Sequence, residues 1–182
     1  MSCDSVMVDI ETLGLVADAV ILSIGAVRFD LDSDEIKDEA FYASVSIGSN
    51  LYVGRKIDVN TLTWWFKQPP EAQLVFHEPK QELETALVSL QEWFGDATFI
   101  WSNGADFDIP ILTHAFGQFD LVVPWKFWNA RCVRTYKNLP GAKNIKVSNT
   151  GKHNALHDAI AQAKLVQAIQ RTLNTTHSMV KT

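Results

Sequence analysis

The octapeptide Ser5-Val6-Met7-Val8-Asp9-Ile10-Glu11-Thr12 constrains the fold more than any other stretch of this chain. Side chains of a strand alternate between faces, so Val6, Val8 and Ile10 point one way and Met7, Asp9 and Glu11 the other. The Val6-Met7-Val8 run is apolar on both faces, as a strand in the middle of a sheet must be. Two carboxylates then share one face at the end of that strand. Holding like charges so close is costly unless a cation neutralises them. The plain alternative is a polar strand end entering the Leu13-Gly14 turn.

Val20 to Asp30 and Glu39 to Ser46 repeat the strand pattern, and the charge-dense 30–38 stretch between them predicts a hairpin connection. Asp58 to Gln68 predicts a short helix ended by Pro69-Pro70. Gln81 to Phe94 predicts an amphipathic helix with Leu83, Leu87, Leu90 and Phe94 on one stripe. Thr98 to Ser102 reads as a short strand, followed by the Asn103-Gly104 turn and a helix through Phe116. A last helix, from about Asn154 to Leu173, would bury Leu156, Ile160, Ala163, Val166, Ile169 and Leu173. The order βββ-α-α-β-α-α predicts an α/β sandwich, a mixed sheet with three leading antiparallel strands flanked by helices.

A chain of 182 residues, 47% of them hydrophobic, buries one good core, so a single domain over 1–173 with a frayed tail at 174–182 is expected. Cys3 and Cys132 lie far apart with no CxxC spacing, which argues against a disulfide framework or zinc knuckle and for a reducing cytoplasm. No apolar stretch approaches the roughly 20 residues a spanning helix needs, so no membrane association is expected.

Two further segments carry chemistry. Asp108 sits just after a predicted strand and before Pro110, where an Asp is also a good helix N-cap. Asp106 competes with it, and spacing alone does not separate them. In His153-Asn154-Ala155-Leu156-His157-Asp158, five helical residues would leave His153 and Asp158 about 140° apart. They converge only if His153 sits in the Gly151-Lys152 loop while Asp158 projects from the first turns of the helix. A His153/His157 metal pair is disfavoured because His-Asn-Ala-Leu-His lacks the glutamate of HExxH. Together the acids could hold two magnesium ions, a centre suited to phosphoryl transfer, in which manganese could substitute.

The net charge of −5 argues at first against a polyanionic partner. Its distribution argues the other way. Between Leu121 and His157 there is no Asp or Glu, while Lys126, Arg131, Arg134, Lys137, Lys143, Lys146 and Lys152 supply seven of the chain's 16 basic residues. A solvated surface explains such a run; beside a phosphate-cleaving site it becomes a phosphate track.

Val8-Asp9-Ile10-Glu11-Thr12, Asn103-Gly104-Ala105-Asp106-Phe107-Asp108 and His153-Asn154-Ala155-Leu156-His157-Asp158-Ala159 resemble, in order, the three motifs of the DEDDh 3′–5′ exonucleases, the DnaQ-like branch of the ribonuclease H-like superfamily. The likeness spans nearly the whole chain. It selects Asp108 over Asp106 and His153 over His157. It implies a ribonuclease H-like sheet, two Mg²⁺ held by Asp9, Glu11, Asp108 and Asp158, and His153 as the base that deprotonates the attacking water. Thr63-Trp64-Trp65 and Lys126-Phe127-Trp128-Asn129-x-Arg131-x-x-Arg134-Thr135 look like the exonuclease A group of T-even phages, which implies a single-stranded 3′ end as partner, DNA ahead of RNA. Cys132 departs from the Asp usual there. Thr12, Leu13, Trp65, Arg131 and Arg134 are the expected substrate contacts, with both arginines on one helical face, whereas Phe107 and Phe127 are expected to pack. Of the adjacent Trp64 and Trp65, one should join the core and the other lie near the substrate groove. A monomer or homodimer is expected. An exoribonuclease sharing every catalytic residue is the alternative, and a non-catalytic binding module a third.

Overall fold

The computed structural model describes residues 3–149, 151 and 153–180. The three leading runs are strands: β1 Ser5–Thr12, β2 Ile21–Phe29 and β3 Phe41–Ser44. With β4 (Phe99–Ser102) and β5 (Ala130–Cys132) they form one sheet in the order β3-β2-β1-β4-β5. β2 runs antiparallel to both β1 and β3, and β4 runs parallel to both β1 and β5. β1 is thus the central strand.

The helices are α1 (Ile47–Tyr52), α2 (Val59–Trp65), α3 (Pro70–Gln73), α4 (Leu83–Phe94), α5 (Asp108–Gly117), α6 (Val133–Tyr136) and α7 (Ala155–Val180). Asp58 caps α2, its Oδ1 accepting from Thr61 N at 2.8 Å. The elements absent from the sequence expectation, α1, α3, α6 and β5, are each six residues or fewer. Over so few residues neither period repeats often enough to register. Arg131 lies in β5 and Arg134 in α6, so the expected shared helical face does not exist.

Strand alternation sorts the core. Val6, Val8 and Ile10 pack with Leu83, Leu87, Leu90 and Phe94 of α4 and with Leu112 and Phe116 of α5. Met7 packs on the opposite face with Phe29, Trp101 and the α7 residues Ala159, Ala163 and Val166. A third cluster under α2 joins Leu13, Val20, Leu22 and Trp65.

The buried stripe of α7 keeps the expected Ala163, Val166 and Ile169 but differs at the start of the helix. Ala155, Ala159, Ala163, Val166 and Ile169 are fully buried, while Leu156 and Ile160 flank the contact. Small residues on the stripe let the helix lie close to the sheet, and Gly25 completes the fit. A Cβ built on Gly25 would stand 2.3 Å from both Ala155 C and Leu156 N. α7 also runs past Leu173 to Val180, so the expected tail is helical over most of its length, and residues 181 and 182 lie outside the described residues. Among the described residues no helix is long and apolar enough to cross a membrane.

Candidate active site

The close approach of α7 at Gly25 decides where the carboxylates meet. Gly25 pairs directly with Asp9 across the β1–β2 ladder. The register of that ladder shifts only between Glu11 and Thr12, so alternation runs unbroken through both acids and presents them to α7. Asp158, in the first turn of α7, completes the group. One carboxylate oxygen from each of Asp9, Glu11 and Asp158 lies within 4.8 Å of the others.

Asp108 enters from α5. Its carboxylate does not cap its own helix; Oδ1 accepts from Ile10 N of β1 at 3.2 Å, and the residue is buried. Asp106 stays exposed beside Gly104 and Arg134. The two aspartates that spacing could not separate therefore have opposite environments.

Burial raises Asp9, Glu11 and Asp108, and repulsion from neighbouring carboxylates adds to it at Asp9 and Glu11. Burial pushes the Asp9 carboxyl well above the usual range, reinforced by Asp108, Glu11 and Asp158 and opposed by the Gln162 amide. Glu11 is pushed up to about 8 by burial, then by Asp158 and Asp108. Asp108 is pushed up to about 7 by burial, against the Ile10 N–H. Among the described residues none of the four forms an ion pair. A set of hard carboxylate oxygens this close fits a divalent cation such as magnesium or manganese, whose charge would remove the repulsion.

A pH dependence follows. Folded pKa values of about 8 for Glu11 and about 7 for Asp108 exceed the unfolded values of 4.5 and 3.8. Protonation of these acids therefore stabilises the metal-free fold fully below about pH 4, and the contribution is lost as pH rises through 7 to 8. With chelator present, the melting temperature should fall by several degrees between pH 6 and 8.5, and Glu11→Gln should flatten the slope. A wild-type melting temperature that rises over this range would contradict the assignment.

His153 lies two residues before α7 with φ of 63°, its backbone N–H donating to Asp158 Oδ2 at 2.9 Å. This is the placement helix geometry demanded, although Lys152 of the expected loop lies outside the described residues. The Asn149 amide donates to Asp158 Oδ1. The His153 ring meets Trp64 edge-on at 5.0 Å and Trp65 at 6.3 Å. The His157 ring lies against Gly151 instead, so the two histidines do not form a pair.

Beside Glu11 opens a cleft of about 630 Å³ walled by Thr12, Leu15, Val16, Trp64, Trp65 and Phe107. The expected substrate contacts fall in different environments. Leu13 is buried against Val20 and Leu22; the exposed large apolar residues of that turn are Leu15 and Val16. Trp65 is 1% exposed with its indole N–H on Thr12 O at 2.9 Å, whereas Trp64 is 42% exposed. Adjacent residues on α2 divide as expected, Trp65 into the core and Trp64 onto the surface, and both line the cleft. Thr12 turns its hydroxyl to Gly14 O at 2.7 Å.

Arg131 is not brought to the acids. Its guanidinium lies 4.6 Å from the Phe99 ring, at the start of β4, whereas the acids stand at the end of β1, which runs parallel to it. Nη1 donates to Trp128 O and Ala130 O, both at 3.0 Å. Arg134 does reach the site, donating to Asn103 O at 3.1 Å, and its charge acts on Asp108. Phe127, expected to pack, is 81% exposed. Cys132 precedes α6, where burial raises its thiol pKa but hydrogen bonds from Thr135, Ala105 and Arg134 outweigh it and leave a net lowering. Gly25 and Gln162 went unmarked in the sequence because a glycine in a strand and a glutamine on a helix acquire meaning only through a partner far along the chain.

A family model, described as the 3′-5′ exoribonuclease Rv2179c-like domain, matches residues 4–170. The fold is similar to that of exonuclease X solved with 5′ overhanging duplex DNA, at 18% identity and a TM-score of 0.58 over 93% of each chain. The expected ribonuclease H-like exonuclease architecture is therefore the observed one. No curated protein matches the sequence. The central strand with its two acids, the third acid on α7, the buried Asp108 and a family match over nearly the whole length lead to one conclusion: the chain belongs to the Rv2179c-like 3′-5′ exoribonuclease domain family.

Proposed function

We propose that this protein is a metal-dependent 3′–5′ exonuclease that removes nucleoside 5′-monophosphates from single-stranded nucleic acid. The convergence of Asp9, Glu11 and Asp158 from elements nearly 150 residues apart is the observation that carries this reading. Asp9, Glu11 and Asp158 would hold one divalent ion, and Asp9 with Asp108 a second. Bound there, such ions would supply Lewis-acid stabilisation of the charge that develops on the phosphoryl oxygens.

The chain's own groups supply the remainder. His153 takes a proton from the water whose oxygen bonds to phosphorus, while the bond from phosphorus to the 3′ oxygen of the penultimate nucleotide breaks. The product chain keeps a 3′ hydroxyl. Packing against Trp64 holds the imidazole beside the cleft, and the His153 backbone N–H, donating to Asp158 Oδ2, ties the loop to a residue that would hold the ion. We expect His153→Ala to lower kcat by about 10²–10⁴-fold while leaving Mn²⁺ binding intact. Turnover at the wild-type rate would remove His153 from the mechanism.

The cleft of Leu15, Val16 and the half-exposed Trp64 suits a terminal base, which stacks on an aromatic ring without sequence preference. Trp64→Ala should raise KM about tenfold or more at nearly unchanged stability. Trp65→Ala should instead destabilise the fold by about 3–5 kcal/mol. If both variants raised KM alone, or both only melted earlier, the division of roles would be wrong.

Likeness to the T-even exonuclease A group supports single-stranded DNA, whereas the family description names an exoribonuclease and supports RNA as the second reading. Incubation of 5′-labelled single-stranded DNA, duplex DNA and RNA with magnesium, beside an Asp9→Ala control, tests both. Failure to shorten any of them from the 3′ end overturns the exonuclease reading.

A further inference from the structure

Gln162 lies four residues after Asp158 on α7, hence on the same helical face. Its Nε2 donates to Asp9 Oδ1 at 2.7 Å. The other end of the amide is left over: Oε1 is buried and has no hydrogen-bond partner. An amide has one acceptor oxygen and one donor nitrogen, and only the donor suits a carboxylate. The contact with Asp9 therefore commits the side chain to an orientation that strands its oxygen, which is costly for any buried acceptor. A contact that costs this much to one side of a glutamine needs a reason. Packing supplies none, because an apolar residue would fill the same place without a stranded acceptor.

We infer that Gln162 is a positioning residue for the metal centre. It pins one oxygen of Asp9, so that the other is held toward Glu11 and Asp158, and it keeps its own carbonyl oxygen ready to accept from a water hydrating the bound ion. The inference rests on the metal-centre reading given under Proposed function. It extends that reading to a residue outside the four acids and the histidine. The physical basis is general: hydrogen bonds that orient a ligating carboxylate commonly contribute 10–100-fold in metal affinity. Here the orienting group and Asp158 belong to one helix. A single element therefore supplies one ligand and aims another that comes from β1, 149 residues earlier than Asp158 in the sequence.

The test is Mn²⁺ affinity, measured by the loss of the free-ion electron paramagnetic resonance signal, with no nucleic acid present. Gln162→Met keeps the length and removes both polar atoms; Gln162→Asn keeps the amide but shortens its reach. Both should bind Mn²⁺ about 10–100-fold more weakly than wild type. Their exonuclease activity should fall at limiting metal and return substantially at saturating metal, a KM-like defect in the ion. If Gln162→Met loses too much stability to assay, the Asn variant alone decides.

Wild-type affinity in either folded variant, with only a lowered melting temperature, would make Gln162 a packing residue and overturn the inference while leaving the metal-centre reading intact. A wild-type protein that binds Mn²⁺ with Gln162-dependent affinity but cleaves neither DNA nor RNA would support the inference and overturn the exonuclease reading. A wild-type protein that binds no Mn²⁺ would overturn both.

Discussion

Asp9→Asn is expected to abolish nuclease activity and, in the same molecule, to make the metal-free protein harder to unfold. In the proposed centre Asp9 would help hold both ions, and losing its charge should lower turnover by about 10³-fold or more. The opposite effect on stability has a separate cause. In the metal-free fold, burial and the nearby Asp108, Glu11 and Asp158 all push the Asp9 carboxyl upward. An asparagine has the same shape, keeps an acceptor for Gln162 Nε2, and removes the charge that the site disfavours. Relief of about 1–2 kcal/mol is expected, which in a chain of this size raises the melting temperature by about 2–8 °C. The measurement is a pair of melts at pH 8 with chelator. Adding magnesium should raise the wild-type melting temperature and leave the variant nearly unmoved. A metal-free variant that melts earlier than wild type would refute the view that these carboxylates repel one another in the absence of an ion. Function and stability would then pull the same way at this position, contrary to the general pattern for buried charged sites.

Gly25→Ala is the second large expectation. The added methyl would stand 2.3 Å from two backbone atoms of α7, Ala155 C and Leu156 N. Backbone at the start of a long helix cannot step aside as a flexible side chain can, so the helix itself must shift. A cost of about 3 kcal/mol is reasonable for such overpacking, seen as a drop of roughly 6–12 °C in melting temperature. The shift matters more than its energy. It separates Asp158 and Gln162 from Asp9, the cross-strand neighbour of Gly25. Metal affinity should therefore fall further than the stability loss alone explains at a temperature where the variant is fully folded. Gly48→Ala is the matched control, because the nearest atom to its Cβ would be Ser46 Oγ at 3.5 Å and the position is helical. It should be neutral or stabilising by up to about 1 kcal/mol. Equal behaviour of the two alanines would remove Gly25 from the account of how the site is assembled.

Much of the scaffold was legible from local pattern. β1 lies at the expected Ser5–Thr12, and the α4 stripe of Leu83, Leu87, Leu90 and Phe94 is buried as its spacing predicts. Long periodic elements announce themselves because each added residue repeats the signal. α7 shows the limit. Ala163, Val166 and Ile169 are buried as expected, but at the start of the helix Ala155 and Ala159 take the places expected of Leu156 and Ile160, because there the helix lies too close to Gly25 for larger side chains. Hydrophobicity ranks residues by their affinity for burial, but the distance between helix and sheet determines which sizes can be buried. The residues around the cleft were sorted for a related reason. Trp65 and Leu13 are apolar enough for a base platform, and for the same reason they were drawn into the core, leaving Trp64, Leu15 and Val16 at the surface. Arg131 lies on the edge strand β5, not on a helix, with its guanidinium against Phe99 of the neighbouring strand.

The sequence by itself determined that Asp9 and Glu11 share a face of a central strand, and that His153 must precede the helix carrying Asp158, because both conclusions follow from the fixed periods of strand and helix. Which face Asp108 turns to, which tryptophan is left at the surface, and that Gly25 and Gln162 belong to the site were decided only by tertiary structure. These depend on contacts between residues up to 153 positions apart, such as Gln162 with Asp9, whose distance no local period encodes.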